Sequence, residues 1–331
     1  MRASRADLLA HAHVVALPMH VRFRGVTTRE AVLIEGPHGW GEFSPFVEYD
    51  DAEAAPWLAS AIEAAWSGWP SPVRDRVAVN ATVPAVAAGA VPGILARFDG
   101  CTTVKVKVAE PGQTLVDDVA RVAAVRAARP GARIRVDANG AWSPAEALTA
   151  LTRLAEVTVE YAEQPCATVD ELVELRRLLD RADVAVPLAA DESIRKASDP
   201  LAVARTGAVD VAVVKVPPLG GVRATLAIAE QLAALGVRLV ISSALDTSVG
   251  LAAGVAAAAA LPTEPYASGL GTAALFAADV CDPPLLPAGG ALPALAAAPT
   301  PELVRLQAPP DRRRWWLERL ERCSALLGAT A

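Results

Sequence analysis

Lysine is nearly missing from this chain. Of 31 basic residues among 331, only Lys105, Lys107, Lys196 and Lys215 are lysines, and the other 27 are arginines. Histidine is as scarce: His11, His13, His20 and His38 all precede residue 40. A histidine general base and a three-histidine metal site are therefore unavailable in the rest of the chain, and acid–base chemistry there must use lysine or carboxylate. Cys101, Cys166, Cys281 and Cys323 lie far apart with no CxxC or zinc spacing, which points to reduced thiols in a cytoplasmic protein. No GxGxxG follows the first strand, which counts against dinucleotide binding. The longest apolar run, "VGLAAGVAAAAAL", falls short of the roughly 20 residues that a membrane span needs. It reads as a buried helix. The opening "MRASRADLLAHAHVVALP" is too interrupted for a signal peptide. Positive charge is not in excess: the net charge is −6, so neither nucleic acid nor an anionic membrane is an expected partner. The basic cluster "DRRRWWLERLER" alternates with acids and apolar residues and reads as an amphipathic surface helix. Nothing in the sequence sets the oligomeric state.

What is present is a large apolar content, 53% hydrophobic against 21% charged, enough for a substantial core. From residue 76 onward, Val-rich segments recur: "RVAVNATV", "TTVKVKV", "RIRVDAN", "VTVEYAEQP", "VAVPLAADES", "VDVAVVKVPP", "VRLVISSAL" and "EPYASGLGT". Stretches of helical periodicity separate most of them. Alternating strands and helices imply parallel pairing with right-handed crossovers, and eight such strands fit an α/β fold of the TIM-like (β/α) barrel type. The first 75 residues differ. "RGVTTREAVLIEGPHGWGEFSPF" alternates like a hairpin turning at Gly36 to Gly39, and "YDDAEAAPWLASAIEAAWSGWP" reads as a helix. The expected organisation is an N-terminal α+β capping domain over 1–75, a barrel over 76–285, and a C-terminal segment over 286–331 that packs back toward the capping domain. The proline-rich stretch 282–301 is expected to lead the chain away from the barrel.

In a parallel barrel, function collects at the C-terminal strand ends. The third strand ends in Asp137, the fourth in Glu163 and the fifth in Asp191, spaced 26 and 28 residues apart. Lys105 and Lys107 stand on the strand before them and Lys215 on the strand after. Three carboxylates in close quarters raise one another's pKa unless a cation neutralises them, and hard oxygen donors suit Mg²⁺. Residues i and i+2 of a strand share a face, so Lys105 and Lys107 point inward together. Arginine cannot give up its proton in practice, whereas lysine can. Burial, a second ammonium and a metal ion would all push a lysine pKa down toward that of a general base. A row of structural ion pairs is the plain alternative. Lys196, in "DESIRK", reads as a loop residue. Arg135 has the parity of Asp137 and reads as a structural ion-pair member one layer below it.

These residues resemble the enolase superfamily, and its muconate-lactonising subgroup in particular. The matching motifs are "VKVKV", "DANGAW", "EQP", "DES" and "VVKVPPLGG", with "GWGEFSPF" similar to the subgroup's capping-domain hairpin. Within the subgroup the chain is most similar to the o-succinylbenzoate synthase family of the actinobacterial type, through "LPMHVRFRGVTTREAVLIEGPHGWGEFSPF" and "ISSALDTSVGLAAGVA". The resemblance implies a modified (β/α)7β barrel with Mg²⁺ as cofactor, held by Asp137, Glu163 and Asp191. It implies a small carboxylate substrate, 2-succinyl-6-hydroxy-2,4-cyclohexadiene-1-carboxylate, dehydrated to 2-succinylbenzoate in menaquinone biosynthesis. Lys107 would abstract the α proton, Lys105 and the metal would stabilise the enediolate, and Lys215 would stand on the opposite face. Ser242, Ser243, Gly269, Leu270 and Arg24 are the expected substrate contacts. Gly271 stands where Asp is expected in many relatives. The same site would also suit N-acylamino acid racemisation or dipeptide epimerisation, and a barrel that only binds a ligand is a remoter reading.

Overall fold

The computed structural model describes residues 3–23, 25–195 and 199–329. A short helix α1 (Arg5–Ala10) leads into three antiparallel strands, β1 (Ala12–Phe23), β2 (Val26–Gly36) and β3 (Gly39–Phe43). The expected turn joins β2 to β3 at Gly36 to Gly39. Helix α2 (Asp51–Ile62) covers this sheet, and its Asp50 cap accepts the Glu53 N–H at 2.8 Å. Gly41 makes the close packing possible, because a Cβ there would lie 2.1 Å from the carbonyl oxygen of Ala61 on α2.

The barrel begins with β4 (Arg76–Ala78) and β5 (Ala81–Val83), separated by Val79 and Asn80. Helix α3 (Val91–Leu95) follows. Then strands and helices alternate: β6 (Thr103–Lys107), α4 (Leu115–Ala128), β7 (Arg133–Asp137), α5 (Pro144–Ala155), β8 (Val159–Glu163) and α6 (Val169–Arg181). The second half runs β9 (Leu188–Ala190), α7 (Glu192–Arg195), α8 (Ala202–Arg205), β10 (Val211–Lys215), α9 (Val222–Ala234), β11 (Arg238–Ser242) and α10 (Ser248–Ala260). Strands β5 to β11 form one parallel sheet in sequence order.

The eighth strand expected in "EPYASGLGT" is reduced to two bridges, Val79 to Ser268 and Ser242 to Gly269, and these close the ring. Four backbone bonds carry the closure: Ser268 N–H to Ala78, Asn80 N–H to Ser268, Gly269 N–H to Ile241 and Ser243 N–H to Gly269. A 3-10 turn, Gly271–Leu275, stands after it in place of a helix, which agrees with the (β/α)7β form.

Helix α10 is buried from Ser248 to Ala259, as expected for its apolar run, and no helix among the described residues is long and apolar enough to cross a membrane. The proline-rich stretch behaves differently from expectation. Within it β12 (Ala291–Pro293) returns to pair antiparallel with β4, and the two form a separate two-stranded sheet beside the barrel strands. Helix α11 (Pro310–Ala329) then lies against α2 and β1. It is amphipathic, but Arg319 does not face water. That side chain is 1% exposed and donates to the carbonyls of Phe46 and Tyr49.

Candidate active site

Strand register places the charged residues side by side. Lys107 on β6 is level with Asp137 on β7, Asp137 with Glu163 on β8, and Glu163 with Ala189, two residues before Asp191. On the far side Lys215 is level with Ser242, which bridges to Gly269. The alternation predicted for "VKVKV" holds: Val104 and Val106 are fully buried in the core, and both lysines line the cavity at the strand ends. All six charged residues are buried, with no more than 8% exposure. Buried charge on this scale is tolerable only when it is paired.

The pairing is direct. Lys107 Nζ lies 2.6 Å from Asp137 Oδ2 and donates to Asn139 Oδ1 at 2.7 Å. Lys105 Nζ bridges Asp137 Oδ2 and Glu163 Oε1, at 3.0 Å from each. Lys215 Nζ sits 2.5 Å from both oxygens of Asp191. Burial by itself would raise the Asp137 pKa, but the Lys107 and Lys105 ammonium groups outweigh it and hold the carboxyl far below its usual range. Glu163 goes the other way. Burial, then repulsion by Asp137, pushes it up to about 7 against the pull of Lys105. At Lys105 burial is not the deciding influence. Burial alone would lower its pKa, but Glu163 and Asp137 overcome it and hold the ammonium well above its ordinary value.

Among the described residues, no three acid, histidine or cysteine side chains close on a common point as a metal-binding cluster. The three acids are instead partnered by lysine ammonium groups. Their chemistry nonetheless fits a hard dication. They are three carboxylates on neighbouring strands, and Glu163 Oε2 is buried without a hydrogen-bond partner. An orphaned carboxylate oxygen beside two repelling acids is what a divalent cation relieves.

The capping layer closes the cavity. Phe23 from the end of β1 and Phe46 from the segment after β3 line it, with the Phe23 ring centroid 5.3 Å from Lys107 Nζ. Asp137, Asp191, Lys105, Lys107 and Lys215 line it too, and of the six charged residues only Glu163 does not. The expected substrate contacts Ser242, Ser243 and Gly269 are on its wall. Leu270 is not. Its side chain is fully buried in the core against Gly254 of α10, so an apolar side chain next to the wall glycine has gone inward. Thr272 occupies the wall instead and pairs its hydroxyl with that of Ser243 at 2.6 Å. Arg24 and Lys196 lie outside the described residues. Arg135 forms the ion pair expected of it, with Glu160 at 2.5 Å, and lies over the Tyr161 ring, 4.7 Å from its centroid.

Four further participants were not singled out from the sequence. Asn139 holds Lys107 and also donates to Glu192 at 3.3 Å; it lies inside "DANGAW", where its left-handed φ of +49° suits asparagine. Gln164 in "EQP" accepts the N–H groups of Asp191 and Ser193 and donates to Cys166 O and Ser193 Oγ, which ties the ends of β8 and β9 together. Phe23 lies in "RFRGVTT" and Phe46 in "GWGEFSPF", capping-module segments visible in the sequence, but only the fold brings these two rings over the barrel.

Comparison with known proteins agrees with this architecture. Residues 94–299 match the family described as enolase C-terminal domain-like, and residues 14–65 match enolase N-terminal domain-like. The chain is 59% identical over 330 residues to an o-succinylbenzoate synthase of Mycobacterium marinum, covering 98% of this chain and 97% of that protein. It is 58% identical over 324 residues to the o-succinylbenzoate synthase of Mycobacterium tuberculosis, covering 97% and 95%. In fold it is similar to the muconate lactonizing enzyme of Pseudomonas fluorescens, with a TM-score of 0.73 at 23% identity over 92% of this chain and 97% of that one.

Proposed function

Because the chain belongs to the o-succinylbenzoate synthase family of the enolase superfamily, we propose that it is a hydro-lyase that dehydrates 2-succinyl-6-hydroxy-2,4-cyclohexadiene-1-carboxylate to 2-succinylbenzoate, a step of menaquinone biosynthesis, with Mg²⁺ as cofactor. The observation that carries this reading is the single cavity lined by Lys105, Lys107, Asp137, Asp191 and Lys215 beneath Phe23 and Phe46.

Asp137, Glu163 and Asp191 are the residues that would hold the metal. When bound, the cation supplies Lewis-acid neutralisation of the substrate carboxylate as its charge grows. Lys107, as the neutral amine, takes the ring proton α to that carboxylate. The electron pair left by the C–H bond puts a second negative charge on the carboxylate, and the ammonium of Lys105 offsets it. The C–O bond to the 6-hydroxyl then breaks. The leaving oxygen collects the proton now on Lys107, so both groups leave from one face, water departs and the ring becomes aromatic. Asn139 orients Lys107 through the 2.7 Å hydrogen bond to its Nζ. The aromatic lid of Phe23 and Phe46 keeps bulk water from the charged row.

A second reading has support in the same geometry. Lys107 and Lys215 both line the cavity, each paired with a different acid, and a base on each face suits racemisation of N-acylamino acids. A spectroscopic dehydration assay with and without EDTA, run beside racemisation in deuterated water, separates the two. We expect metal-dependent aromatisation. Absence of that signal together with deuterium wash-in to an N-acylamino acid would make racemisation the principal activity.

A further inference from the structure

The loop after β11, residues 243–247, gives the cavity three of its wall residues, Ser243, Ala244 and Leu245. Its own sequence does not fix its shape. Leu245 has a φ of +61°, a left-handed conformation unfavourable to a residue with a Cβ. The capping layer holds it there. Arg29 on β2 donates through Nε to the Leu245 carbonyl at 3.1 Å and through Nη2 to the Ala244 carbonyl at 3.3 Å. The same Nη2 reaches the carbonyl of Ser44, and the guanidinium carbon lies 4.6 Å from the centroid of the Phe46 ring. Glu42 on β3 accepts the N–H and hydroxyl of Thr247, at 3.1 and 2.5 Å, and the N–H of Gly250 at 3.0 Å. Arg29 is buried at 3% exposure and does not itself line the cavity.

We propose that Arg29 is a positioning residue for substrate binding. It ties Ala244 and Leu245 of the barrel to Phe46 of the capping layer, and these three make an apolar wall in a cavity that also carries the charged row. A carboxylate substrate with a hydrocarbon ring would place its charge on that row and its ring against that wall. The selectivity of the wall therefore depends on a cation that never meets the ligand. Arginine suits the task because its fork reaches several carbonyls at once while its flat face stacks on a ring. This inference rests on the proposed dehydration only for the identity of the ligand.

The test compares Arg29→Met and Arg29→Lys with the unaltered enzyme. Three quantities are read: steady-state kinetics, calorimetric affinity for 2-succinylbenzoate, and amide hydrogen exchange over residues 243–250. We expect KM and the product Kd to rise about fivefold or more in Arg29→Met with kcat within about twofold, because the wall binds ground and transition states alike. Exchange over 243–250 should quicken, and Arg29→Lys should recover part of each loss. Unchanged KM, product Kd and loop exchange in folded Arg29→Lys and Arg29→Met, with only Tm lowered, would overturn the proposal. If Arg29→Met fails to fold, Arg29→Lys alone decides, since it keeps the charge and N–H donors but loses the planar fork. If the unaltered enzyme does not dehydrate the substrate, the assigned reaction fails, while the exchange measurement still judges Arg29.

Discussion

Lys107 Nζ donates to two oxygens, Asp137 Oδ2 and Asn139 Oδ1, and in the proposed reaction the same nitrogen must take up a proton. Arginine would satisfy the same oxygens and keep its charge. Lys107→Arg should therefore leave folding intact and lower kcat by about 10²–10⁴-fold, the usual weight of a general base. The dehydration assay and a thermal melt check both halves, and a near-normal rate would remove Lys107 from the role. Asp191→Asn should weaken Mg²⁺ binding, measured by calorimetry without substrate; unchanged affinity would count against the ligand set. A residue far from the site gives a pH test. Glu264 is half-buried beneath the barrel, and burial pushes its carboxyl up to about 7 despite Arg74 at 3.8 Å and a hydrogen bond from Ser268. Its folded pKa exceeds the unfolded value, so its favourable share is complete below the unfolded pKa and is lost as pH rises through about 7. Glu264→Gln should flatten the fall in Tm between about pH 5 and pH 8, with its advantage at the alkaline end. The six charged residues were legible in the sequence because strand periodicity and even spacing constrain them. The raised pKa of Lys105 was not, since it depends on two 3.0 Å distances that no spacing encodes.

Helix α10 shows how an element can be readable while its docking is not. Its run of alanine and glycine has no polar stripe, and it is buried along nearly its whole length. Its N-terminus, however, meets a carboxylate from another layer: Glu42 accepts at Thr247, the N-cap, and at Gly250. A Cβ at Gly250 would lie 2.6 Å from the Glu42 carboxyl carbon and 2.9 Å from Asp246 Cβ. Gly250→Ala gains about 1 kcal/mol of helix propensity. It also forces apart atoms that hydrogen bonds hold in place, at a cost of about 1–3 kcal/mol. The clash should win, lowering the urea midpoint, and a raised midpoint would mean that the capping layer shifts easily. Helix α9 receives the same treatment: Glu63 accepts the N–H groups of Val222 and Arg223 at 2.5 and 3.2 Å. Such partners are invisible in a local window because they sit 159 and 208 positions away in the chain.

Across the whole molecule, one continuous apolar core runs from Val14 and Trp57 of the capping layer through Val104 and Ile134 of the barrel to Trp316 and Leu320 of α11. Capping layer and barrel should therefore unfold together. Trp316 is fully buried, stacks edge-on with Phe43 at 6.0 Å and donates to Glu30 at 2.8 Å. Trp316→Ala should cost about 3–5 kcal/mol and lower the midpoint of a single calorimetric transition; two separated transitions would show that the layers are independent. The sequence by itself determined the alternation of strands and helices, the hairpin of the capping layer and which strand ends carry charge, because these follow from periods of two and 3.6 residues and from turn chemistry. Tertiary structure alone decided that each acid has a lysine partner and that Lys105 bridges two of them, that Phe23 and Phe46 roof the cavity, that Leu270 turns away from it and that Arg29 and Glu42 hold the wall. Those outcomes depend on distances between segments far apart in the chain, which no local pattern specifies.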